Sequence, residues 1–366
     1  MIKSRQSDNL SLSFLNKIYM KRALITGITG QDGSYLAEFL SLKGYEIYGF
    51  MRRVSTDPFM RIESLYENSK IKLIYGNLRD SATIANALDI ARPDEIYNLA
   101  AQSHVGVSFT CPEETIDINF KGLERLATEA FKRNPKVKIY QASTSEMYGN
   151  TKPPQNEQSI FAPVSPYGEA KLKAHNEVVV PFRNKGFFIC SGILFNHESP
   201  RRGKHFVTKK VSHSLAKVKF GQQEMMIMGN LDAKRDWGFA GDYVEAMWLM
   251  LQQDQPEDFV IATGENHTVR EFVEEVANYL GLSLRWEGQG LNEVGKDEKG
   301  RIIVKLDEKY YRPNEVNNLL GDSTKARTRL GWKPKTDFKG LVKMMVDSDI
   351  KQVVGISEND YGKNIG

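Results

Sequence analysis

The fold of this chain is decided by residues 22–33, RALITGITGQDG. The first five of these residues are mostly apolar and predict a buried β-strand, and glycines follow at positions 27, 30 and 33. Apolar residues then recur at helical spacing from Tyr35 to Leu40, and Gly44 marks the predicted end of that helix. A strand, a glycine-rich turn and a helix together aim backbone N–H groups at a pyrophosphate. The stretch, with its spacing G-x-x-G-x-x-G, therefore predicts a dinucleotide-binding turn.

Strand-like and helical segments alternate through the first half of the chain. The strand-like runs lie at residues 46–50, 72–75, 95–100, 138–142 and 187–195. Helical patterns separate them at residues 82–91, 123–131 and 170–182. Alternating β and α units predict an α/β fold with a doubly wound parallel sheet of Rossmann type. Ligands of such a sheet bind at the carboxyl ends of its strands.

The chain of 366 residues is long enough for this domain and a smaller C-terminal lobe. From about Asn196, glycines, charges and irregular stretches replace the regular alternation. We predict a dinucleotide-binding domain at 21–195, a substrate-binding lobe at 196–350 with some segments that return to the main domain, and a C-terminal tail at 351–366. Residues 1–20 are interpreted either as a disordered tail or as an over-extended start, with Met20 as the alternative first residue; they lack the pattern of a secretory signal.

Composition argues against several classes of protein. Residues 1–22 contain five Lys or Arg and one Asp, which accounts for the whole net charge of +4 and leaves no basic domain for nucleic acid. No stretch approaches the roughly 20 apolar residues of a membrane span. Cys111 and Cys190 have neither redox nor metal spacing and indicate a reducing compartment, the cytoplasm. The six histidines show no close pair at ligand spacing, so we predict no metal site.

Two segments carry the predicted chemistry. Residues 143–146, Ser-Thr-Ser-Glu, follow an apolar run and therefore lie at the exit of a strand. Tyr167 and Lys171 are four residues apart on a predicted helix, which directs both side chains to one face. A nearby ammonium favours the phenolate, and a lowering of the Tyr167 pKa by about 3 units corresponds to about 4 kcal/mol. Glu146 adds a carboxylate that simple alcohol oxidation does not require.

The residues after the second predicted strand indicate the type of dinucleotide. Arg52 and Arg53 stand where an acidic residue would bind the ribose 2′-hydroxyl of NAD. Arginine suits the 2′-phosphate of NADP instead. The alternative is that both are solvated loop residues; NADP is the prediction that we favour.

Longer motifs resemble a known family. They are Gly27–Gly33, residues 141–146 (QASTSE), 165–168 (SPYG), 192–202 (GILFNHESPRR), 229–238 (GNLDAKRDWG) and 311–316 (YRPNEV). From Lys21 to about Asp349 the chain is similar to the extended short-chain dehydrogenases/reductases, and within them to the GDP-mannose 4,6-dehydratases. Related enzymes that act on dTDP-glucose carry Asp where this chain has Ser145, which favours the GDP-mannose branch.

The resemblance implies roles for matching residues. Thr144 would bind the substrate 4-hydroxyl, Tyr167 would deprotonate it, Glu146 would act at C5 and C6, and Lys171 would hold the nicotinamide ribose. The implied NADP site consists of Gly27, Ile28, Thr29, Gly30, Gln31, Asp32, Gly33, Arg52, Asn77, Leu78, Leu99, Ala100, Ala101, Gln102, Ser103, Tyr167, Lys171, His197 and Arg202. The implied nucleotide-sugar site consists of Thr144, Ser145, Glu146, Asn196, Arg235, Arg312 and Glu315.

Two positions depart from the family pattern. Asn77 stands where many relatives carry Asp, near the adenine, and its amide can still accept a hydrogen bond. Glu114 replaces a tyrosine that some relatives use beside the cofactor, so we leave it out of the predicted site. The resemblance also implies a homodimer or homotetramer, in which residues 53–61 can reach a neighbouring subunit's cofactor site; a surface turn is the alternative.

The function that the resemblance implies is a lyase reaction on GDP-mannose, with oxidation, elimination of water and reduction in one NADP-dependent cycle. An epimerase or a 4-keto reductase on the same scaffold would need Tyr167 and Lys171 but not Glu146. A catalytically silent NADP-binding regulator would be expected to lack Tyr167 or Lys171, and both are present.

Overall fold

The computed structural model describes residues 20–311 and 316–355 of the chain. Its strands are β1 (Arg22–Thr26), β2 (Glu46–Met51), β3 (Ile71–Tyr75), β4 (Glu95–Asn98), β5 (Lys138–Ala142), β6 (Ile189–Leu194), β7 (Asn196–Glu198), β8 (Met226–Met228), β9 (Lys234–Arg235), β10 (Trp237–Phe239), β11 (Phe259–Ile261), β12 (His267–Thr268), β13 (Arg285–Glu287), β14 (Val294–Lys296) and β15 (Ile302–Leu306). Its α-helices are α1 (Gln31–Leu42), α2 (Glu63–Glu67), α3 (Ser81–Ala91), α4 (Val105–Ser108), α5 (Pro112–Ile116), α6 (Gly122–Arg133), α7 (Pro166–Ala174), α8 (Val180–Asn184), α9 (Val207–Lys219), α10 (Ala240–Leu251), α11 (Val269–Tyr279) and α12 (Phe338–Val354).

Seven strands form one sheet in the order β11-β6-β5-β4-β1-β2-β3. Every neighbouring pair is parallel; Ala23 of β1, for example, lies between Ile47 of β2 and Glu95 of β4. The chain winds outward in opposite directions on the two sides of the β1–β4 pair, which creates a switch point at the carboxyl ends of these strands. The predicted doubly wound α/β sheet is therefore confirmed.

Helices cover both faces of this sheet, as a parallel sheet requires. On one face, Leu40 of α1 and Met247 of α10 belong to the same apolar core. On the other face, Leu88 of α3 packs with Leu126 of α6. A π-helical turn joins α7 to α8, so the helix predicted at 170–182 is one helical segment that begins at residue 166.

The strand predicted at 95–100 ends earlier, at Asn98. The N–H groups of Leu99 and Ala100 leave the sheet and donate to Oγ1 of Thr26, each at 3.1 Å. Thr26 Oγ1 in turn donates to Asn98 at 2.7 Å. This hydrogen bonding directs the residues after β4 toward the glycine-rich turn.

A smaller lobe contains a second sheet in the order β13-β14-β15-β8. Helices α9, α11 and α12 share its core, which includes Leu215, Phe272 and Met345. Between segments of this lobe, β11 joins the parallel sheet and α10 packs on α1. Trp332 also returns to the main core, where it contacts Tyr243 edge to face. Helix α12 continues to residue 354, so the predicted tail at 351–366 begins inside this helix.

Within the described ranges, no helix is long and apolar enough to cross a bilayer. The same ranges hold no group of three or more His, Cys, Asp or Glu side chains suited to a metal ion.

Candidate active site

A cleft of about 1170 Å³ lies between the carboxyl edge of the parallel sheet and the smaller lobe. Each predicted site residue in the described part of the chain lines this cleft, with the exception of Ile28. Ile28 is fully buried in the core behind the turn, so its side chain does not reach the cleft, and its predicted role in cofactor binding is left to its backbone. Arg312 and Glu315 lie outside the described residues.

The glycine-rich turn brings the backbones after β1 and β4 close together. Gly27 has a φ of +72°, and a Cβ on this residue would lie 2.9 Å from the Cα and N atoms of Ala100. A larger residue at position 27 would force the two segments apart. Helix α1 begins directly after Gly30, which provides no side-chain cap for the N–H groups of the first turn. These groups and the positive end of the helix dipole suit a diphosphate.

Asp32 lies in that first turn, where its carboxylate would compete with a phosphate. Its Oδ2 atom is 2.8 Å from Nε2 of His197 in β7. Burial opposes both charges, but the ion pair outweighs burial, so the pKa of His197 lies above its ordinary value and that of Asp32 lies below. Gln31 Nε2 donates to Oδ1 of Asp32 and to the carbonyl of His197, each at 3.0 Å. The start of α1 is thus joined to β7.

The predicted adenosine end of the cleft is more open. Arg52 follows β2 with an exposed side chain and lines the cleft, whereas Arg53 is not part of the lining. Asn77 also lines the cleft, and its Oδ1 accepts the backbone N–H of Arg79 at 3.0 Å. Glu114, which the sequence analysis left out, lines the same wall, with Oε1 4.0 Å from Nη1 of Arg79.

The end of the loop at 53–61 is attached to its own subunit. Arg61 donates from Nε to the carbonyl of Arg201 at 2.8 Å and from Nη1 to the carbonyl of Thr29 at 3.3 Å. The contact of this loop with a neighbouring subunit stays a prediction, and Arg61 is held within the chain.

Four predicted catalytic residues meet where β5 and α7 approach each other. Thr144 caps the short 3₁₀ turn Ser145–Met147, and its Oγ1 accepts the N–H of Glu146 at 3.2 Å. Helix α7 packs closely on this turn, because a Cβ on Gly168 would lie 2.8 Å from the carbonyl oxygen of Glu146. Tyr167 and Lys171 on α7 are buried and line the cleft together with Thr144 and Glu146.

The expected lowering of the Tyr167 pKa by Lys171 is not present in the protein alone. Burial raises the pKa of Tyr167 to about 12 and lowers the pKa of Lys171 to about 8. The Nζ atom of Lys171 donates to the carbonyl of Ala142 at 2.8 Å and lies 6.0 Å from the centre of the Tyr167 ring. The two side chains share one face, as predicted, but the ammonium is directed to the end of β5.

The predicted substrate end of the cleft combines an unsatisfied acceptor with a buried cation. Oδ1 of Asn196 is buried and has no hydrogen-bond partner. A buried acceptor without a partner costs about 1–3 kcal/mol, so a ligand donor at this place would be favourable. Arg235 of β9 is 6% exposed and lines the cleft, and its Nη1 donates to the carbonyl of Lys234 at 2.9 Å.

Lys210 and Tyr310 are among the residues of this wall that were not predicted from the sequence. Lys210 of α9 lines the cleft with its Nζ 3.7 Å from the centre of the Tyr310 ring, and burial lowers its pKa. Lys204 and Lys309 line the cleft nearby. The adjacent lysines at 209 and 210 were the available signal, but α9 buries Lys209 and directs only Lys210 to the cleft.

A protein-family model described as GDP-mannose 4,6 dehydratase matches residues 24–345 of the chain. The chain belongs to the GDP-mannose 4,6-dehydratase family. It is 55% identical over 340 residues to GDP-mannose 4,6 dehydratase of Homo sapiens, with 90% of this chain and 91% of that protein covered. It is 52% identical over 341 residues to GDP-mannose 4,6 dehydratase 2 of Caenorhabditis elegans, with 90% and 89% covered. The predicted family of enzymes is confirmed.

Solved structures agree on the fold of this member of the GDP-mannose 4,6-dehydratase family. UDP-glucose 4-epimerase of Thermotoga maritima, solved with UDP-glucose, has a TM-score of 0.75, with 90% of this chain and 99% of that chain covered. The two sequences are 24% identical. At this identity the likeness establishes the shared architecture and leaves the substrate to the family match.

Proposed function

We propose that this chain converts GDP-mannose into GDP-4-keto-6-deoxymannose and water, with an NADP cofactor that each cycle restores. The observation that carries the proposal is the presence of Glu146 beside Tyr167 and Lys171 in one cleft. A tyrosine and a lysine are the only protein groups that oxidation or reduction of an alcohol by a bound dinucleotide would require. The additional buried carboxylate supplies the acid and base that elimination of water requires. Membership of the family supports GDP-mannose as the substrate.

In the oxidation step, Thr144 binds the 4-hydroxyl of the mannose ring and Tyr167 takes its proton as the phenolate. This step requires the bound ligands to lower the Tyr167 pKa from its value of about 12 in the protein alone. Lys171 would hold the nicotinamide ribose of NADP⁺. When bound, the cofactor would supply the redox chemistry, namely uptake of the C4 hydride and its return to C6 without net consumption.

In the elimination step, the C4 ketone acidifies the proton on C5, and the Glu146 carboxylate removes it. The protonated Glu146 then gives this proton to the departing 6-hydroxyl, and water leaves across C5–C6. After hydride reaches C6, C5 takes up a proton equivalent to the one that left O4, which restores Tyr167. The balance is GDP-mannose minus one water, and Glu146 has acted as base and then as acid.

The cleft fits a dinucleotide at its glycine-rich end. A Cβ on Gly27 would close the approach to Ala100, and the uncapped start of α1 offers N–H groups to a diphosphate. Arg52 at the end of β2 supports NADP over NAD, since a guanidinium binds a 2′-phosphate. The cofactor and substrate residues given in the sequence analysis are proposed as the two sites, apart from the Ile28 side chain.

The test is mass spectrometry of the purified protein with GDP-mannose and a trace of NADP⁺. The expected product has lost one water, no NADPH accumulates, and turnover exceeds the cofactor supplied. An isomeric nucleotide sugar of unchanged mass would contradict the proposal in favour of an epimerase. An unchanged substrate, with other nucleotide sugars also unchanged, would favour the silent NADP-binding regulator.

We also propose a homodimer or homotetramer in the cytoplasm. The resemblance to the family supports the assembly, and the free thiols of Cys111 and Cys190 are compatible with a reducing compartment. Light scattering of the purified chain measures the first point, and a monomer at micromolar concentration would contradict it.

A further inference from the structure

The ion pair between Asp32 and His197 joins the two ends of the cleft. Nδ1 of His197 lies 2.8 Å from the carbonyl oxygen of Phe195, and Nε2 lies 2.8 Å from Oδ2 of Asp32. A carbonyl has no proton to donate, so Nδ1 must carry one. A neutral ring with its proton on Nδ1 would then turn the Nε2 lone pair toward a carboxylate. The arrangement is therefore that of an imidazolium which donates from both nitrogens.

The other groups around His197 leave Asp32 as the anion that faces the ring. The Tyr243 ring of α10 stacks on the imidazole with centres 4.7 Å apart. Arg202 is close enough to oppose the positive charge of the ring, but its Nε lies 2.9 Å from Oε2 of Glu198, which neutralises it. Glu198, on the same strand as His197, is thus occupied by Arg202.

A second connection runs parallel to the ion pair. Gln31 donates to the carbonyl of His197, and its Oε1 accepts the hydroxyl of Ser199 at 2.8 Å. The first turn of α1 is thereby held to the backbone of His197 and to Ser199, which directly follows β7. Asn196, with its unpartnered Oδ1 in the cleft, directly precedes His197.

We propose that Asp32 and His197 are positioning residues that form a charged clasp between the cofactor turn and the substrate strand. The imidazolium cancels the Asp32 charge where a diphosphate binds, and it fixes Asn196 relative to that diphosphate. The inference rests on the proposed function, because it takes NADP as the ligand of the turn.

The clasp depends on pH in a defined direction. The pKa of His197 lies above its ordinary value of about 6.5. The ring is charged in the folded and unfolded states at lower pH, so the clasp is complete there, and it is lost as the pH rises through the folded pKa. We expect NADP⁺ affinity to decrease over the same interval.

The test is calorimetry of NADP⁺ binding at pH 7 without GDP-mannose. His197→Asn removes the imidazolium that pairs with Asp32 and leaves Arg202 as a weaker cationic influence on this carboxylate. We expect NADP⁺ to bind about 10-fold or more weakly, the range of a lost charge-assisted hydrogen bond. Adding Asp32→Asn removes that carboxylate and should recover most of the affinity. His213→Asn is the matched control, because it removes another His–Asp contact, with Asp349, outside the cleft.

Two results would overturn the clasp. The first is an NADP⁺ affinity that His197→Asn leaves unchanged. The second is an NADP⁺ affinity of the double variant as weak as that of His197→Asn alone, because His197 would then be an ordinary cofactor contact. A nuclear magnetic resonance titration of His197 needs no ligand: Asp32→Asn should lower its pKa, and an unchanged pKa would also overturn the proposal. If the double variant recovers NADP⁺ affinity and Asp32→Asn lowers the His197 pKa, but the protein does not dehydrate GDP-mannose, only the proposed function is contradicted.

Discussion

The two ends of the cleft differ in the chemical groups that line them. The cofactor end consists of backbone groups and short residues on regular elements, namely Gly27, Gly30 and the start of α1. The substrate end consists of long cationic side chains, such as Lys210 and Arg235. A backbone-built site is fixed by the fold itself, whereas a side-chain site can be altered while the fold is kept. Substitutions at the two ends should therefore have separable effects.

The largest separation is expected from Glu146→Gln. The amide cannot take the C5 proton, so the turnover number should fall by about 10²–10⁴-fold, the range of general acid–base catalysis. NADP⁺ affinity should stay unchanged, because Glu146 lies outside the cofactor turn. Steady-state rates and calorimetry measure the two quantities. Glu169→Gln, an exposed change on α7, is the control, and full turnover of Glu146→Gln would remove its assigned role.

Lys171→Met tests how much the buried ammonium of Lys171 costs the stability of the fold. The pKa of Lys171 is held at about 8 by burial, below the ordinary value of about 10.4, so below pH 8 the fold carries a buried charge. The variant should lose turnover but raise the free energy of unfolding at pH 7 by up to about 3 kcal/mol, at about 1.4 kcal/mol per pKa unit.

The increase in the free energy of unfolding of Lys171→Met should disappear above about pH 10.5, because Lys171 is then neutral in the unfolded chain as well. Denaturant unfolding at pH 7 and pH 10.5 measures both values. A variant that is less stable than the parent at pH 7 would contradict the assignment of a costly buried ammonium.

Arg52→Asp addresses a long cationic side chain at the open end of the proposed cofactor site. Loss of a charge-assisted bond to the 2′-phosphate should weaken NADP⁺ by about 10- to 100-fold and leave NAD⁺ much less affected. Fluorescence titration with both dinucleotides gives the ratio. Arg53→Asp is the neighbour outside the cleft lining and should change neither. Equal weakening by the two variants would indicate a general charge effect and contradict a specific Arg52 contact.

The smallest effect is expected from Lys210→Met at the substrate end. We expect Lys210 to contact a substrate phosphate, and loss of this single, partly screened contact should change GDP-mannose affinity by about 10-fold. The affinity for NADP⁺ should remain that of the parent protein. Competition binding with GDP measures the substrate affinity separately from the NADP⁺ affinity. Lys219→Met lies at the far end of α9 and serves as the control. A loss of NADP⁺ affinity in Lys210→Met would break the proposed division of the cleft.

The sequence predicts the strand, glycine-rich turn and helix at residues 22–42 well, because the rules for these elements concern the backbone. The periodicity of apolar residues predicts the strand that precedes the glycines. It also places Thr144 just after the carboxyl end of β5. The same rules place Tyr167 and Lys171 on one helical face. These inferences do not require knowledge of which distant segments come together.

The remaining features depend on packing between distant segments. Ile28 lies within the glycine-rich turn, yet its side chain belongs to the core behind it. Lys171 is directed to the Ala142 carbonyl, which cannot be read from its spacing to Tyr167. Lys210 and its neighbour at 209 are equivalent in the sequence, and only the burial of Lys209 beside Asp349 separates them. Such choices are made by tertiary contacts.

The repeated return of the chain to the parallel sheet restricts how this architecture can change. Because α10, β11 and the segment at Trp332 are interleaved with parts of the smaller lobe, no single cut separates the two lobes. Limited proteolysis should therefore release no stably folded fragment of either one. For the same reason the smaller lobe cannot be exchanged between relatives as one contiguous cassette. Changes in the residues that line the cleft are therefore a more accessible route to new sugar specificity than exchange of a whole lobe.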